Sequence, residues 1–351
     1  MAQNEVLTSE SPTTVLCPES PEQFAEALRA SASEHRTIRL GGRFSKDRLA
    51  GRPFPAAVTI STRAMNRLLK YDPRDLTVSV EAGMPWADLD RTLREHGQML
   101  PLDPGWAEST VAGVVAANVS GPRRRLYGTA RDMIIGMTFA TLEGKFVNSG
   151  GMVVKNVAGL DMAKLMIGSF GTLAGIATIN FKVFPIPAES RTFAIEFETA
   201  AEAFAQRDRI LQSVLQPAAI DVINWPSRFR LLVRASGTRR VVDRYARELG
   251  GAKIEDDFIW YEVCEFTPRF LAANPNGAVV PIVSKLSEMG AIAENLKTPF
   301  IARAGSGVIY AHYAQDAPEV ELGGDFAMMT KVKEMFDPER LLNRGRLYGR
   351  I

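Results

Sequence analysis

The fold of this 351-residue chain is decided by two segments, Ser109–Met137 (STVAGVVAANVSGPRRRLYGTARDMIIGM) and Gly150–Pro187 (GGMVVKNVAGLDMAKLMIGSFGTLAGIATINFKVFPIP). Both alternate short apolar runs with glycines, and the residues between the glycines do not repeat, which argues against a solenoid. A glycine turn leaves its backbone N–H groups open, because no side chain blocks the approach of another group. The pattern therefore predicts short elements joined by tight turns, several of which bring the backbone close to something else.

A third stretch of the same kind is IRLGGRFSK, in which Gly41 and Gly42 follow a predicted strand. Any one of the three stretches alone would be read as a set of tight turns in a compact domain. Together they favour a cradle for a cofactor, with backbone N–H groups available to an anion. Small residues in the second stretch would let a large planar ligand lie against the backbone: Ser109, Thr110, Ala112, Gly113, Ala116 and Ala117.

Several familiar sites are missing from the sequence. There is no GxxxxGK[ST] motif, no GxGxxG between a predicted strand and helix, and no GxSxG. The three histidines and two cysteines are too scattered for a compact metal site or an iron–sulfur cluster. Such a chain has little acid–base or metal equipment of its own, so a cofactor must carry any difficult chemistry.

The composition is that of a soluble globular protein with two domains, 46% apolar and 23% charged. The formal charge of +2 gives no indication of nucleic-acid binding. No apolar run approaches the ~20 residues of a membrane span, and the polar residues 1–13 lack a signal core and are expected to form a flexible tail. These features predict a cytoplasmic protein.

The order of elements predicts an α+β protein. Ser20 and Pro21 are typical of a helix start, and Phe24 and Leu28 share one face of that helix. Helical patterns also occur in RAMNRLLKYD (63–72) and in MPWADLDRTLREHG (84–97). From residue 188 the order strand, helix, strand, strand, helix is the start of a ferredoxin-like layer. We therefore place a domain boundary near 187, and the chain closes with an amphipathic helix in DFAMMTKVKEMF (325–336).

The two long glycine-bearing segments strongly resemble the FAD-binding domain of the vanillyl-alcohol oxidase and p-cresol methylhydroxylase (PCMH) family, most closely that of the FAD-binding E subunits of glycolate oxidases. The resemblance covers residues 14–187 well and continues loosely through AGSGVIYAHY and FDPERLLNRGR. It implies a two-lobed PCMH-type FAD-binding domain over 14–187 and a ferredoxin-like α+β cap domain over 188–351.

The resemblance also implies where FAD is held. The first loop would contact the diphosphate, the second would lie near the diphosphate and the flavin, and the last would close around the adenosine. Arg43 and Phe44 depart from the smaller residues that the family has there. The implied cofactor-binding residues are Gly41, Gly42, Arg43, Phe44, Ser45, Asp103, Pro104, Ser109, Thr110, Val111, Ala112, Gly113, Asn118, Ser120, Gly121, Gly168, Gly171, Thr172, Gly175 and Ile176.

Some relatives attach FAD covalently through a histidine or cysteine. None occurs here between His96 and Cys264, so non-covalent FAD is expected. The resemblance implies a subunit of a complex that oxidises glycolate to glyoxylate, with a larger FAD-binding subunit and an iron–sulfur subunit as partners, and membrane contact only through them. Two alternatives stay open: a self-sufficient FAD-dependent dehydrogenase or oxidase of another 2-hydroxy acid or alcohol, and a flavin-free scaffold subunit.

Catalytic residues are not assigned by the sequence. His312 is the one histidine of the cap domain, without an acidic or histidine cluster beside it. Lys155 and Asp161 are either polar groups near the flavin or parts of a turn and helix cap. Of the three consecutive arginines at 123–125, we expect Arg123 to face the flavin cavity and the other two to meet a partner subunit.

Overall fold

The computed structural model describes residues 14–152, 161–250, 252–315, 317–319 and 323–351. The predicted tail, residues 1–13, and Lys155 lie outside these ranges. The first sheet contains three parallel strands: β1 (Thr14–Leu16), β2 (Ile38–Gly41) and β3 (Val58–Ser61). Their order is β1-β3-β2, and α1 (Pro21–Ser33) joins the first two along the chain. The side chain of Ser20 caps this helix and Phe24 and Leu28 are fully buried, which confirms the predicted start.

A five-stranded antiparallel sheet forms the second lobe of the N-terminal half. Its strands are β4 (Leu68–Asp72), β5 (Thr77–Glu81), β7 (Ile134–Ala140), β8 (Phe146–Gly150) and β9 (Gly175–Lys182), in the order β4-β5-β9-β7-β8. Two short strands, β6 (Gln98–Met99) and β10 (Phe184–Pro185), pair beside it. Alternate residues of β9 enter the main apolar core, because successive side chains of a strand point to opposite faces.

Short helices lie within the segments that connect these strands. They are α2 (Trp86–Glu95), α3 (Val111–Ala116), α4 (Arg124–Tyr127), α5 (Ala130–Met133) and α6 (Ala163–Met166). The helix predicted within 84–97 is present as α2, its Leu89 and Leu93 are fully buried, and the chain leaves it through Gly97 at φ +66°. Val111, Val114 and Val115 of α3 are also fully buried. These side chains pack α3 against the core, whereas Gly113 of the same helix lines a cleft.

The C-terminal half is built on one seven-stranded antiparallel sheet. Its strands are β11 (Glu189–Phe197), β12 (Ala219–Ile223), β13 (Phe229–Gly237), β14 (Lys253–Glu255), β15 (Ala278–Val283), β16 (Phe300–Arg303) and β17 (Val308–Tyr313). The order is β14-β11-β13-β12-β16-β17-β15. The first four neighbours, with helices after β11 and β13, form the predicted ferredoxin-like arrangement, and the last three strands extend it.

Helices cover both faces of this sheet. Three of them, α7 (Ala200–Gln212), α8 (Arg239–Glu248) and α10 (Met289–Asn295), pack on one face. The opposite face is covered by α9 (Phe258–Ala273). Successive residues of β12 therefore face opposite sides of the sheet: Val222 packs on the side of α7, α8 and α10, and Ile223 packs on the side of α9. This helix also approaches the N-terminal half, where a Cβ on Gly105 would lie 2.2 Å from the carbonyl oxygen of Cys264.

The prediction of a helix over 63–72 was wrong. This segment forms a single 3-10 turn at Thr62–Ala64 and then β4, which pairs with β5 through a bulge. Leu68 and Leu69 are both exposed, so the apolar spacing that suggested a helix does not mark a buried face. Strand pairing at the sheet edge overrode the local pattern.

The end of the chain returns to the N-terminal half. The predicted closing helix is present as α11 (Phe326–Phe336), and α12 (Arg346–Gly349) follows it. Lys333 donates hydrogen bonds to the carbonyl oxygens of Thr172 (2.7 Å) and Leu342 (3.1 Å), and its amine is buried. Val332 and Phe336 pack against the core beneath the five-stranded sheet. The last residues therefore help to build the N-terminal half, although they follow the cap in sequence.

Candidate cofactor and substrate site

The three glycine-bearing stretches meet at one cleft, which we call the glycine cleft. The first loop leaves β2 at Gly41, α3 forms the floor, and residues 170–176 form the far wall. The lining residues are Leu40, Gly41, Gly42, Arg43, Phe44, Ser45, Lys46, Asp47, Thr62, Thr110, Ala112, Gly113, Ala116, Ala117, Phe170, Gly171, Ala174, Ile176 and Arg346.

Close backbone approach explains the glycine at 42. A Cβ on Gly42 would lie 2.3 Å from Oγ1 and 2.6 Å from Cγ2 of Thr110. The same Thr110 caps α3 by accepting a hydrogen bond from the Gly113 N–H at 3.3 Å. The absence of a side chain at Gly42 therefore lets the first loop pack directly on the start of α3. Gly41 and Gly42 of this loop line the cleft.

A buried hydroxyl of the cleft has no hydrogen-bond partner within the described residues. Thr62 is 3% exposed, and its Oγ1 makes no hydrogen bond. An unsatisfied buried hydroxyl costs about 1–3 kcal/mol. A polar ligand in the cleft would satisfy this atom, so the residues present fit a cofactor with polar groups along its length.

A buried amine also belongs to the cleft. Lys46 is 7% exposed; its Nζ is hydrogen-bonded to Ser109 Oγ, has a weaker contact of 3.4 Å with Ser45 Oγ and lies 5.4 Å from the Trp106 ring. Burial lowers the pKa of this amine to about 7, and the more distant Glu265 only partly opposes the effect. No carboxylate of the described residues forms an ion pair with it, which leaves room for an anionic ligand.

The C-terminal segment supplies a part of the cleft that the sequence did not predict. Arg346 donates to the carbonyl oxygens of Asp47 (2.9 Å) and Leu49 (3.1 Å) and forms an ion pair with the Asp47 carboxylate at 3.1 Å. Asn343 accepts from the Leu40 N–H at 2.7 Å and donates to the Phe170 carbonyl at 2.6 Å. The NRGR motif was visible in the sequence, but nothing local indicated that it returns to the first loop.

A second space of about 430 Å³, which we call the central cavity, adjoins the glycine cleft. Ala117 and Phe170 line both. The central cavity lies between the second glycine stretch, α9 and strands β15–β17. Its lining residues are Leu49, Ala50, Asp103, Gly105, Trp106, Ala117, Asn118, Val119, Ser120, Gly121, Arg124, Gly168, Phe170, Cys264, Thr267, Val279, Pro281, Val283, Arg303, Val308 and Tyr310.

The three consecutive arginines have three different environments. Arg123 is held in a nearly buried ion pair with Asp103, to which its Nε donates at 2.8 Å, and it does not line the central cavity. Arg124 lines the cavity. Arg125 contacts Gln216 of the cap at 3.3 Å. The expectation that Arg123 faces the cavity was wrong, because Asp103 draws its guanidinium to the other side of the turn.

Three titratable groups around the cavity have shifted pKa values that make them poor proton acceptors at neutral pH. Burial would raise the pKa of Asp103, but the charge and hydrogen bonds of Arg123 lower it. Burial raises the pKa of the Cys264 thiol to about 12. His312 lies one layer behind, where Nε2 contacts Thr267 Oγ1 at 2.9 Å, and burial lowers its pKa to about 4. At neutral pH the cavity therefore contains a weakly basic carboxylate and a neutral thiol.

Fifteen of the twenty predicted cofactor residues line these two spaces. Pro104, Ser109, Val111, Thr172 and Gly175 do not. Val111 is in the apolar core, and a Cβ on Gly175 would lie 2.4 Å from the Phe24 ring, so these two support the cleft from behind. Residues that the prediction missed come mostly from distant parts of the chain: Lys46, Thr62, Phe170, Cys264, Thr267, Arg303, Tyr310 and Arg346.

Lys155 and Asp161 are the other two polar residues that the sequence singled out, and Lys155 lies outside the described residues. Asp161 forms an ion pair with Lys164 at 3.1 Å and makes no side-chain cap to α6. Among the described residues, no group of three or more His, Cys, Asp and Glu side chains is arranged to hold a metal ion. No helix in the described part of the chain combines the length and apolar character that crossing a bilayer requires.

Comparison with known proteins agrees with the geometry of the cleft. Residues 12–150 match the sequence model of a family described as FAD binding domain. Glycolate oxidase subunit GlcE of Escherichia coli is 29% identical over 346 residues, which cover 93% of this chain and 97% of GlcE. Glycolate oxidase subunit GlcD of Bacillus subtilis is 29% identical over 62% of this chain, and a D-lactate dehydrogenase of Anaerostipes hadrus is 34% identical over 47%. This chain covers only 46% and 34% of those two proteins.

A solved structure of alkyldihydroxyacetonephosphate synthase has the same fold. It superimposes with a TM-score of 0.72 over 94% of this chain and 75% of the synthase, at 19% identity. At that identity the likeness concerns the fold alone. The chain is therefore an FAD-dependent oxidoreductase that carries an FAD-binding domain of the p-cresol methylhydroxylase type.

Proposed function

We propose that this chain is the FAD-binding subunit of a complex that oxidises a 2-hydroxy acid, with glycolate, converted to glyoxylate, as the first candidate. The observation that carries the proposal is that the two spaces adjoin each other, with Ala117 and Phe170 in the wall of both. A dinucleotide held along the glycine cleft would present its ring system to the central cavity. The names of the relatives GlcE and GlcD, both subunits of glycolate oxidases, support the substrate and the complex.

The chain's own residues would hold the cofactor from three sides. Gly41 and Gly42 offer backbone groups to the diphosphate, and Lys46 offers a charge beside them. Asn118 and Ser120 line the route to the central cavity. Flavin bound there would supply a hydride acceptor for the carbon that carries the substrate's hydroxyl group. With Cys264 holding its proton until about pH 12, non-covalent binding remains our proposal.

The central cavity lacks a good general base among the described residues that line it. Asp103 is bound to Arg123, which lowers its pKa, and Cys264 is a neutral thiol. A base must lie within hydrogen-bond reach of the hydroxyl proton and have a pKa near the working pH. We therefore propose that a larger flavoprotein subunit completes oxidation and that an iron–sulfur subunit receives the electrons. Any contact with a membrane would go through these partners.

The test is an anaerobic titration of the FAD-loaded chain with glycolate, alone and after its partner subunits are added. We expect the visible flavin absorption to bleach only in the complex. Bleaching in the isolated chain would instead support a self-sufficient dehydrogenase. A chain that cannot retain FAD at all would support the scaffold alternative.

A further inference from the structure

The central cavity contains a guanidinium with no hydrogen-bond or ion-pair partner among the described residues. Arg124 is half-buried and lines the cavity, and its only hydrogen bonds to described residues are made by its backbone. Its charge acts at longer range on Asp221, but that carboxylate is already paired with Arg303. Its two neighbours are different, since Arg123 is bound to Asp103 and Arg125 to Gln216. A guanidinium that is partly removed from water without a partner is costly, unless a ligand supplies the anion.

The other charges that line the cavity occur in pairs. Arg303 is bound to Asp221, with both side chains nearly fully buried. Asp103, which lines the cavity, is bound to Arg123 just outside it. The charges of these two pairs cancel, so Arg124 leaves the wall with a surplus of one positive charge.

A second atom also indicates a ligand. Ser120 is 4% exposed and lines the same cavity, and its Oγ has no hydrogen-bond partner within the described residues. Much of the remaining wall is apolar and includes Val119, Val279 and Val308. The site thus offers one cation, one unsatisfied hydroxyl and an apolar surround.

We propose that the central cavity is a binding site for a small organic acid with a single carboxylate, held by Arg124 and with a polar group of the acid met by Ser120. This proposal rests on the proposed function, in which FAD lies along the glycine cleft and presents its ring system to the central cavity. It goes further because it assigns acid binding to this chain rather than to a partner subunit. An arginine–carboxylate contact in a partly dry cavity is a charge-assisted pair, and such pairs are stronger than neutral hydrogen bonds.

The single surplus charge predicts discrimination between acids. A monocarboxylate neutralises Arg124 and leaves the cavity without net charge. A second carboxylate would have to be buried against the apolar wall without a partner, which is unfavourable. Glycolate should therefore bind more tightly than tartronate, which is glycolate with a second carboxylate on the same carbon.

The experiment is isothermal titration calorimetry of the FAD-loaded chain with glycolate and with tartronate. Arg124→Met is expected to weaken glycolate binding about 10- to 100-fold, the range of a lost charge-assisted contact. Arg124→Lys should recover part of the affinity because it keeps the charge. Arg125→Met is the matched control, because the adjacent arginine bonds to the cap, and it should bind glycolate as the parent chain does.

The outcomes separate this proposal from the proposed function. Glycolate binding without flavin reduction, lost in Arg124→Met while FAD is retained, supports acid binding by this chain whatever the partners do. Equal glycolate affinity in the parent chain and in Arg124→Met would overturn it, as would a chain that retains FAD and binds no glycolate. Tartronate binding as tight as glycolate binding would overturn the single-carboxylate assignment.

Discussion

At the scale of the residue, Lys46 is deeply buried and forms no ion pair with any residue that the structure describes. Burial lowers the pKa of its amine to about 7, against an ordinary value of 10.5. Over that window the folded chain binds fewer protons than the unfolded chain, so this group makes stability rise with pH between about 7 and 10.5. An anion in the cleft would favour the protonated form and reverse the shift.

This reversal predicts proton uptake when FAD binds. Above about pH 7 the dissociation constant for FAD should rise with pH, approaching about tenfold per unit, because the amine must first be protonated. Below pH 7 the affinity should level off. Fluorescence titrations between pH 6 and 9 measure this, with Lys46→Met expected to show a flat profile and the exposed Lys70→Met to follow the parent chain. Parallel profiles for the parent chain and Lys46→Met would show that the amine does not face the anion.

Gly42 gives a second test at this scale. The alanine Cβ in Gly42→Ala would meet Thr110 Oγ1 at 2.3 Å, so the first loop must move away from α3. We expect at least a tenfold loss of FAD affinity, together with a destabilisation of about 1–3 kcal/mol from overpacking. Gly324→Ala is the control, because its Cβ would meet nothing within 4 Å. Unchanged FAD affinity in Gly42→Ala would mean that the first loop does not hold the cofactor.

At the scale of the element, Asp337 holds the C-terminal segment together, and its ion-pair partner Lys333 ties the segment to the N-terminal half through the Thr172 carbonyl. This carboxylate accepts the N–H groups of Leu341 and Leu342, both at 2.8 Å, and the buried amine of Lys333 at 2.5 Å. Both charged side chains are at most 2% exposed. The pair therefore fixes the segment that carries Asn343 and Arg346 to the glycine cleft.

Asp337→Ala should be strongly destabilising. It leaves the Lys333 charge buried and two backbone donors without their acceptor, which costs about 3–5 kcal/mol for the broken pair. Chemical denaturation measures the loss. The double variant Lys333→Met/Asp337→Asn removes the orphaned charge and should recover part of the stability; equal destabilisation of the two variants would contradict the role of the ion pair.

The helices and strands differ in how far the sequence could predict them. The capped helix at Pro21, the amphipathic α2 and the ferredoxin-like order are set by local patterns, and all three were predicted. The 63–72 segment was not, since its leucines are exposed and its strand depends on β5. The return of Arg346 to Asp47, across 299 residues, has no local signal.

At the scale of the whole molecule, the glycine loops that line the cleft were predictable because glycine turns carry their own geometry. The central cavity was not, because it needs the second sheet and α9 to lie over the glycine stretch. That placement decides which arginine lines the cavity, and it is Arg124 rather than Arg123. The cavity thus depends on both halves of the chain, whereas the glycine cleft depends on the N-terminal half and the C-terminal segment.

Flavin binding is tested by reconstituting the purified chain with FAD and following it by gel filtration, visible spectroscopy and acid precipitation. We expect each chain to retain about one flavin and to release it into the supernatant on acid treatment, because we propose that non-covalent contacts alone hold the cofactor. A chain that emerges colourless after reconstitution would contradict flavin binding, and flavin that remains with the acid precipitate would contradict the non-covalent assignment.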